Sequence, residues 1–272
     1  MAITPHQEAG LTVLRSDLLA ALPHGFSTRP GGVSPAPWDS LNLGPSRGDD
    51  PGNVRENYRR FCAVLGTDPE KAVLSQQTHT ANVRRVTAED AGKGLTRPRD
   101  YRDVDALMTD VPGLALTVFS ADCGVILLHD PVHAAIAAVH AGWRGCAGGI
   151  LEKTVQAMTQ SYGTDPADLL AALGPCIGKC CFETDADVPD AMRAALGPDA
   201  ETCLSYRVPK WHVDLSGLNR LWLLRAGLRP ENIEGSGLCT ACRPDLFWSH
   251  RKMGENRGVQ AAMIALPGRE DP

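Results

Sequence analysis

Residues 121–145 read ADCGVILLHDPVHAAIAAVHAGWRG, and their pattern sets the architecture. Two apolar runs, GVILLHD at 124–130 and AAIAAVH at 134–140, are short and bounded by turn residues, so they read as buried strands. HDPVH between them reads as a hairpin turn, with Pro131 in a favoured turn position. A two-residue turn pairs Asp130 with His133 and, counting back, Cys123 with His140. Opposed residues of an antiparallel pair lie about 4.5–5.5 Å apart at Cβ, which suits two ligands of one ion. A three-residue turn shifts that register by one. The second strand ends on an imidazole and runs into a turn containing Gly142, Gly145, Gly148 and Gly149, with Arg144 among them.

Outward from this hairpin, ALTVFSA (115–121) and LLAALG (169–174) are further strand candidates. The segment DDPGNVRENYRRFCAVLG carries Asp50 and Pro51 at its start and Gly66 at its end, the punctuation of a helix. TDPEKAV reads as a short helix capped by Asp68 with Pro69 in its first turn. GGILEKTVQAMTQSYG and VDLSGLNRLWLLRAG supply two more helices, ending at Gly163 and Gly227. No repeat, low-complexity tract or long linker divides the chain, which reads as one domain over residues 1–272.

With 43% hydrophobic and 22% charged residues, the 272-residue chain has the composition of a soluble globular protein. A formal net charge of -5 disfavours a polymeric nucleic-acid partner, although a local arginine cluster could still hold a small anion. The longest apolar stretch, GLALTVFSADCGVILL, is interrupted by Ser120, Asp122 and Cys123 and is too short to span a bilayer. MAITPHQEAG has no export-signal pattern, so the expectation is a reducing, cytoplasmic setting with free thiols rather than disulfides. With no obvious partner stripe, the default assembly is a monomer or small homo-oligomer.

Three residues carry the candidate chemistry: His79 in QQTHTANV, Cys123 in SADCGVI and His140 in AVHAGWRG. Two imidazoles and one thiolate suit zinc, and three protein ligands leave a coordination position open, as catalytic zinc sites do. Spacing alone makes this a weak signal, because lone histidines at strand ends and lone buried cysteines most often serve structure. Asp122, adjacent to Cys123, points to the opposite face of a regular strand and is read as orienting a neighbour. His129 and His133 flank an Asp-Pro turn and are read as solvent-facing. Cys176, Cys180 and Cys181 with Cys239 and Cys242 invite a second zinc, but C-x₃-C-C is not a paired C-x-x-C, and free thiols are the preferred reading.

These segments, together with HGFSTRPGGVS (24–34), SLNLG (40–44), GDDPGNVRENYRR (48–60), VDALMTD (104–110), LGPCIGKCCFE (173–183), LCT (238–240) and WSHRKMGENRGVQ (248–260), resemble the laccase-domain family. Its members are also called polyphenol oxidase-like, purine nucleoside phosphorylase-like or peptidoglycan editing factors. The resemblance implies an α+β fold, a single-domain layered α-β-β-α sandwich with mixed sheets. It implies Zn²⁺ at His79, Cys123 and His140, which are then also the catalytic residues. It places Arg29 and Asn42 in the substrate pocket. Gln77, sharing a face with His79, is a candidate amide contact. Arg144 is either a phosphate-binding fork or a surface salt-bridge partner.

Purine nucleosides and phosphate are the partners the resemblance implies: phosphorolysis of adenosine, inosine, guanosine and methylthioadenosine, with adenosine deamination beside it. A multicopper oxidase needs many clustered imidazoles, and the chain has 8 histidines with no His-x-His pair. A single copper in the same ligand set leaves weak polyphenol oxidase activity open. HQE (6–8) and PCIGKC do not make the nucleobase-deaminase signature, the first lying at a terminus expected to fray and the second one residue too long. A zinc amidase acting on peptidoglycan precursors is the alternative enzyme; sequence does not choose between them, nor does it name a general base.

Overall fold

The computed structural model describes residues 3–268. The chain opens with β1 (Ile3–Glu8), β2 (Leu11–Ser16) and β3 (His24–Ser27), followed by α1 (Pro51–Leu65). β4 (Ala72–Leu74), β5 (Val83–Arg85), β6 (Ala106–Thr109) and β7 (Ala115–Ser120) lead to the hairpin β8 (Gly124–Asp130) and β9 (Ala135–Ala141). Next come α2 (Trp143–Ala147), α3 (Ile150–Tyr162), β10 (Leu170–Leu173), β11 (Glu183–Thr184) and α4 (Asp187–Leu196). The chain finishes with β12 (Leu204–Arg207), β13 (Lys210–Val213), α5 (Leu215–Arg225), β14 (Ile233–Gly235), α6 (His250–Met253) and β15 (Gln260–Ala265).

Two six-stranded mixed sheets form the centre, in the orders β1-β2-β3-β15-β7-β4 and β14-β10-β8-β9-β6-β5. The first is antiparallel except where β4 joins β7, and the second carries parallel pairs at β10–β14 and β5–β6. Strand parity explains the stacking. On β8, Val125 and Leu127 meet Leu116, Val118, Ala262 and Ile264 of the other sheet, while Ile126 and Leu128 face α3, α4 and α5. On β15, Ala261, Met263 and Ala265 turn instead to Val54, Tyr58, Phe61 and Leu65 of α1. Both faces of these strands are buried, which is why their sequences run apolar without alternation. The order of layers is therefore helix, sheet, sheet, helices, as the resemblance implied.

The punctuation read from sequence places the helices. Asp50 accepts from Gly52 N–H at the start of α1, and Gly66 closes it in the left-handed region (φ 70°). Asp68 caps a single 3₁₀ turn at Pro69–Lys71, and Asp214 caps α5.

Three readings are corrected. The β8–β9 loop has four residues between Asp130 and Ala135, so Val125, not Cys123, is paired with His140. A shift of two residues preserves the face, so Cys123 and His140 stay on one side as diagonal neighbours. His129 is not solvent-facing: it sits buried on β8 opposite Leu170, whereas His133 is half-exposed beside Asp130. His6–Glu8 does not fray either, because Ala9 and Gly10 turn β1 back against β2. Among the described residues no helix is long and apolar enough to cross a membrane.

Candidate metal centre and substrate clefts

The connection from β7 to β8 carries the chain from one central sheet to the other through Ala121, Asp122 and Cys123. Cys123 therefore lies at the rim between the sheets, close to the end of β9, where His140 projects. His79 arrives on the loop after β4, with its backbone in the left-handed region (φ 63°). Non-glycine residues are uncommon there, which points to a local constraint. That constraint is Asp105, at the start of β6, fully buried. Its carboxylate accepts from the backbone N–H groups of Thr78 (3.1 Å), His79 (3.1 Å) and Thr80 (3.0 Å) and from Thr80 Oγ1 (2.9 Å).

The same carboxylate is 2.8 Å from His140 Nδ1. Nδ1 is thereby engaged, and Nε2 is the ring nitrogen left for a metal. One potential ligand atom each from His79, Cys123 and His140 falls within a 4.8 Å group, and His79 Nε2 is 3.8 Å from Cys123 Sγ. A tetrahedral zinc with ordinary bond lengths separates a nitrogen and a sulfur ligand by roughly 3.6 Å. The donor set fits zinc in kind and in spacing, and the Asp105 carboxylate supplies the outer support that metal-binding histidines require.

Electrostatics set the protonation of these ligands. Burial pushes the Cys123 thiol up, but the neighbouring His140 imidazolium and the hydrogen bonds from both histidines outweigh it and bring it to about 6. For His140, burial acts to lower the pKa, yet the Cys123 thiolate and Asp105 raise it to about 9. Asp105 resists the upward push of burial through its bond to His140 and the backbone donors, and falls to about 2. These shifts favour a thiolate beside an imidazolium, and His140 must give up its Nε2 proton when it takes a metal.

Gly142 closes the arrangement. A Cβ there would come 2.7 Å from Cys123 Sγ and 3.2 Å from His79 Cδ2, so the turn into α2 must be bare at this point.

Two clefts of about 380 and 460 Å³ meet at the centre and share Arg47, His79, Ala121, Cys123 and Arg257 as walls. The first adds Arg99, Ser75 and Gln77 beside Phe119 and Val259. The second carries apolar and aromatic walls, with Trp143, Phe182, Ile177 and Leu215 beside Arg144 and Arg251. Arg257 is the notable cation. Only 8% of it is exposed, its Nη1 donates to Gly258 O (3.0 Å), and its buried Nε has no hydrogen-bond partner. Burial, followed by repulsion from Arg47, lowers its pKa. A desolvated guanidinium of this kind favours an anion.

The remaining sequence candidates divide. Gln77 lines the first cleft, but its Oε1 accepts from Ser75 Oγ and Phe119 N–H (2.6 Å each) and its Nε2 donates to Phe119 O (2.8 Å), leaving one amide N–H. Arg144 lines the second cleft, its guanidinium 4.2 Å from the Trp143 ring centre. Arg29 lines neither cleft: it donates to Asp39 O (2.7 Å), Asp39 Oδ2 (2.6 Å) and Pro244 O (2.9 Å). Asn42 is fully buried and also outside both. Its oxygen accepts from Gly44 and Val259 N–H, and its amide donates to Asp49.

Asp122 orients neighbours as read, but from a bend between β7 and β8 (φ 93°) and not from a regular strand. It accepts from Thr240 Oγ1 (2.6 Å), Ser249 Oγ (3.0 Å) and Arg251 N–H (2.7 Å), fastening two distant loops beside Cys123. Sequence reasoning assigned no role to Asp105, Arg47, Arg99 or Arg257. For Asp105 a signal existed, since an acid opening the apolar strand ALMT has to be buried beside partners.

Comparison with known proteins shows the family of the chain. The sequence profile described as "Multi-copper polyphenol oxidoreductase laccase" matches residues 23–267. The chain belongs to that family. It is 37% identical to the "Purine nucleoside phosphorylase YlmD" of Geobacillus stearothermophilus over 91% of its own length and 90% of that protein. It is 36% identical to the "Purine nucleoside phosphorylase YfiH" of Escherichia coli over 88% and 92% respectively. The crystal structure of the Geobacillus stearothermophilus YlmD superposes with a TM-score of 0.91 at 35% identity, covering 98% of this chain and 100% of that one. Membership in the laccase family thus coincides with curated relatives that carry a phosphorylase name, and the three-residue centre lies within the matched region.

Proposed function

We propose that this chain is a zinc-dependent purine nucleoside phosphorylase acting on adenosine, inosine, guanosine and methylthioadenosine, with adenosine deamination as a side reaction. The observation that carries the reading is the shared wall: a buried arginine that makes no ion pair among the described residues lines the same two clefts as His79 and Cys123. His79, Cys123 and His140 would hold the zinc, which when bound supplies a Lewis acid for charge developing on the substrate.

The residues of the chain supply the rest. Arg257, with Arg47 and Arg99, concentrates phosphate in the first cleft, where a phosphate oxygen attacks the anomeric carbon as the purine leaves. Trp143, Phe182 and Ile177 offer flat and apolar surface for the purine in the adjoining cleft. Arg144, stacked on Trp143, and the free N–H of Gln77 are placed to contact substrate atoms. Asp105 fixes His79 and His140 so that neither reorganises during turnover.

The experiment is direct. Purified protein is incubated with inosine and phosphate, and with inosine alone, and products are separated by chromatography. Hypoxanthine and ribose 1-phosphate in the first case, with neither in the second, are the expected result. Loss of this activity on chelation and its return with zinc complete the assignment. Hypoxanthine formed equally without phosphate means hydrolysis and overturns the phosphorylase reading; no turnover of any nucleoside overturns it altogether.

A further inference from the structure

Away from the clefts, the fold brings together four cysteines that the proposed reaction does not use. Cys180 and Cys181 lie in the turn after β10, and Cys239 and Cys242 lie in the loop after β14. All four sulfurs fall within 4.8 Å of one another. Cys242 Sγ is 3.5 Å from both Cys180 Sγ and Cys181 Sγ. These distances are far beyond a disulfide bond of about 2.0 Å. They are close to the roughly 3.8 Å edge of a tetrahedron of sulfurs around zinc.

The backbone is shaped around the sulfurs. Cys181 and Phe182 N–H both donate to Gly178 O (2.9 Å each), making the tight turn that turns two adjacent cysteines toward one point. Gly178 N–H donates to Cys239 Sγ at 3.2 Å, and such bonds favour a thiolate. A side chain at Gly178 would press on the cluster, its Cβ falling 3.1 Å from Cys239 Cβ and 3.3 Å from Cys180 Sγ. The two loops also pair along their backbones, Cys176 N–H donating to Leu238 O (3.4 Å) and Thr240 N–H to Cys176 O (3.1 Å). Cys176 itself is buried and stands outside the cluster, so the fifth cysteine of the sequence group is excluded.

We propose that Cys180, Cys181, Cys239 and Cys242 form a second, structural zinc site that clips these two loops together. Four protein sulfurs leave no open position, which is the pattern of a structural ion. The clip has work to do at this place. Thr240, between its two C-terminal ligands, donates to Asp122, while Ile177 N–H donates to Asp122 O (2.8 Å). Arg251 Nη1 donates to Cys181 O (3.1 Å). Both clipped loops thus abut the residue next to Cys123, and one of them carries Ile177 and Phe182 into the second cleft. A metal site at this rim stiffens the wall without touching substrate.

Metal content tests this independently of the phosphorylase reading. The full chain, produced with zinc in the medium, is expected to hold about two zinc ions by elemental analysis. His79→Ala/His140→Ala retains one ion, and Cys239→Ser/Cys242→Ser loses one of the two. Cobalt loaded into His79→Ala/His140→Ala should show the sulfur-to-metal charge-transfer bands and intense visible bands of a tetrathiolate. Because loss of a clip can unfold the loops, Cys242→His provides a second variant: it keeps four donors, should retain the ion, and should weaken the charge-transfer bands. A double-histidine variant that binds neither zinc nor cobalt overturns the proposal. So do disulfides among these cysteines in freshly reduced protein, or iron held there in place of zinc. Zinc at the tetrathiolate in an enzyme inactive on nucleosides would leave this inference standing and remove the other.

Discussion

The carboxylate of Asp105 holds His140 Nδ1 at 2.8 Å and, with its remaining acceptor capacity, the backbone that presents His79. One buried acid therefore sets the orientation of two imidazoles from different elements. Asp105→Asn keeps the size but loses the charge and one acceptor, so His140 becomes a weaker ligand. Zinc affinity at the three-residue centre should fall roughly 10- to 100-fold. The measurement is a competition titration with a chromophoric chelator on Cys239→Ser/Cys242→Ser protein, where only this centre can report. An unchanged affinity would show that Asp105 serves the loop alone.

Metal-free protein should display an unusually reactive cysteine. With its pKa brought to about 6 against burial by His140 and His79, Cys123 is mostly thiolate at neutral pH. As pH falls through that value the thiolate protonates, and its alkylation by iodoacetamide should slow with a midpoint near 6. An ordinary thiol shows its midpoint near pH 8.5. His140→Ala removes the main charge opposing burial, so the midpoint must move upward and the rate at pH 7 must drop several-fold. Peptide mapping after timed alkylation assigns the rate to Cys123; a wild-type midpoint at 8 or above would contradict the thiolate–imidazolium pair.

Two arginines distinguish anion binding from scaffolding. Arg257 lines both clefts and makes no ion pair among the described residues, whereas Arg29 spends its donors on Asp39 and Pro244. A charge-assisted hydrogen bond contributes about 1.5–3 kcal/mol, so Arg257→Ala should raise the phosphate KM by roughly 10- to 150-fold. Arg29→Ala should lower the melting temperature by a few degrees and leave that KM within about twofold. Steady-state kinetics against phosphate, paired with calorimetry, separates the two. Equal effects on KM would return Arg29 to the substrate-binding set.

The contrast shows what sequence carried and what it did not. Strand parity and helix caps are local, and residues such as Asp50, Gly66, Gly163 and Asp214 marked elements that the structure contains. The metal trio was only a weak signal by residue type and spacing, and the family resemblance is what singled it out. The hairpin register was not, since loop length depended on Asp130 accepting from Val132 and His133 N–H, a turn chemistry that Pro131 alone does not disclose. The cationic residues of the first cleft were invisible for another reason. Arg47, Arg99 and Arg257 come from three segments far apart in the chain, and only the stacking of two sheets brings them to one wall. Arg29 and Asn42 sit in segments shared with the family, and their polar atoms hydrogen-bond within the surrounding loops.

The tightest geometric test falls on Gly142. Its backbone is ordinary (φ -65°), so an added methyl costs nothing in conformation and acts through space alone. That methyl would meet Cys123 Sγ at 2.7 Å and His79 Cδ2 at 3.2 Å, which forces the sulfur or the imidazole off the common point. Gly142→Ala should therefore bind zinc at the three-residue centre at least about tenfold more weakly, a displacement of one ligand being comparable to losing its outer support. The core packed beneath, with Ala141 and Cys146 both buried, should keep its melting temperature in the metal-free state within a few degrees. Gly148→Ala is the control: its Cβ meets the side chain of Ala81 at 3.1 Å, away from the ligands, and metal affinity should be unchanged. A Gly142→Ala protein with full zinc affinity would mean that the sulfur and the imidazole do not converge as drawn.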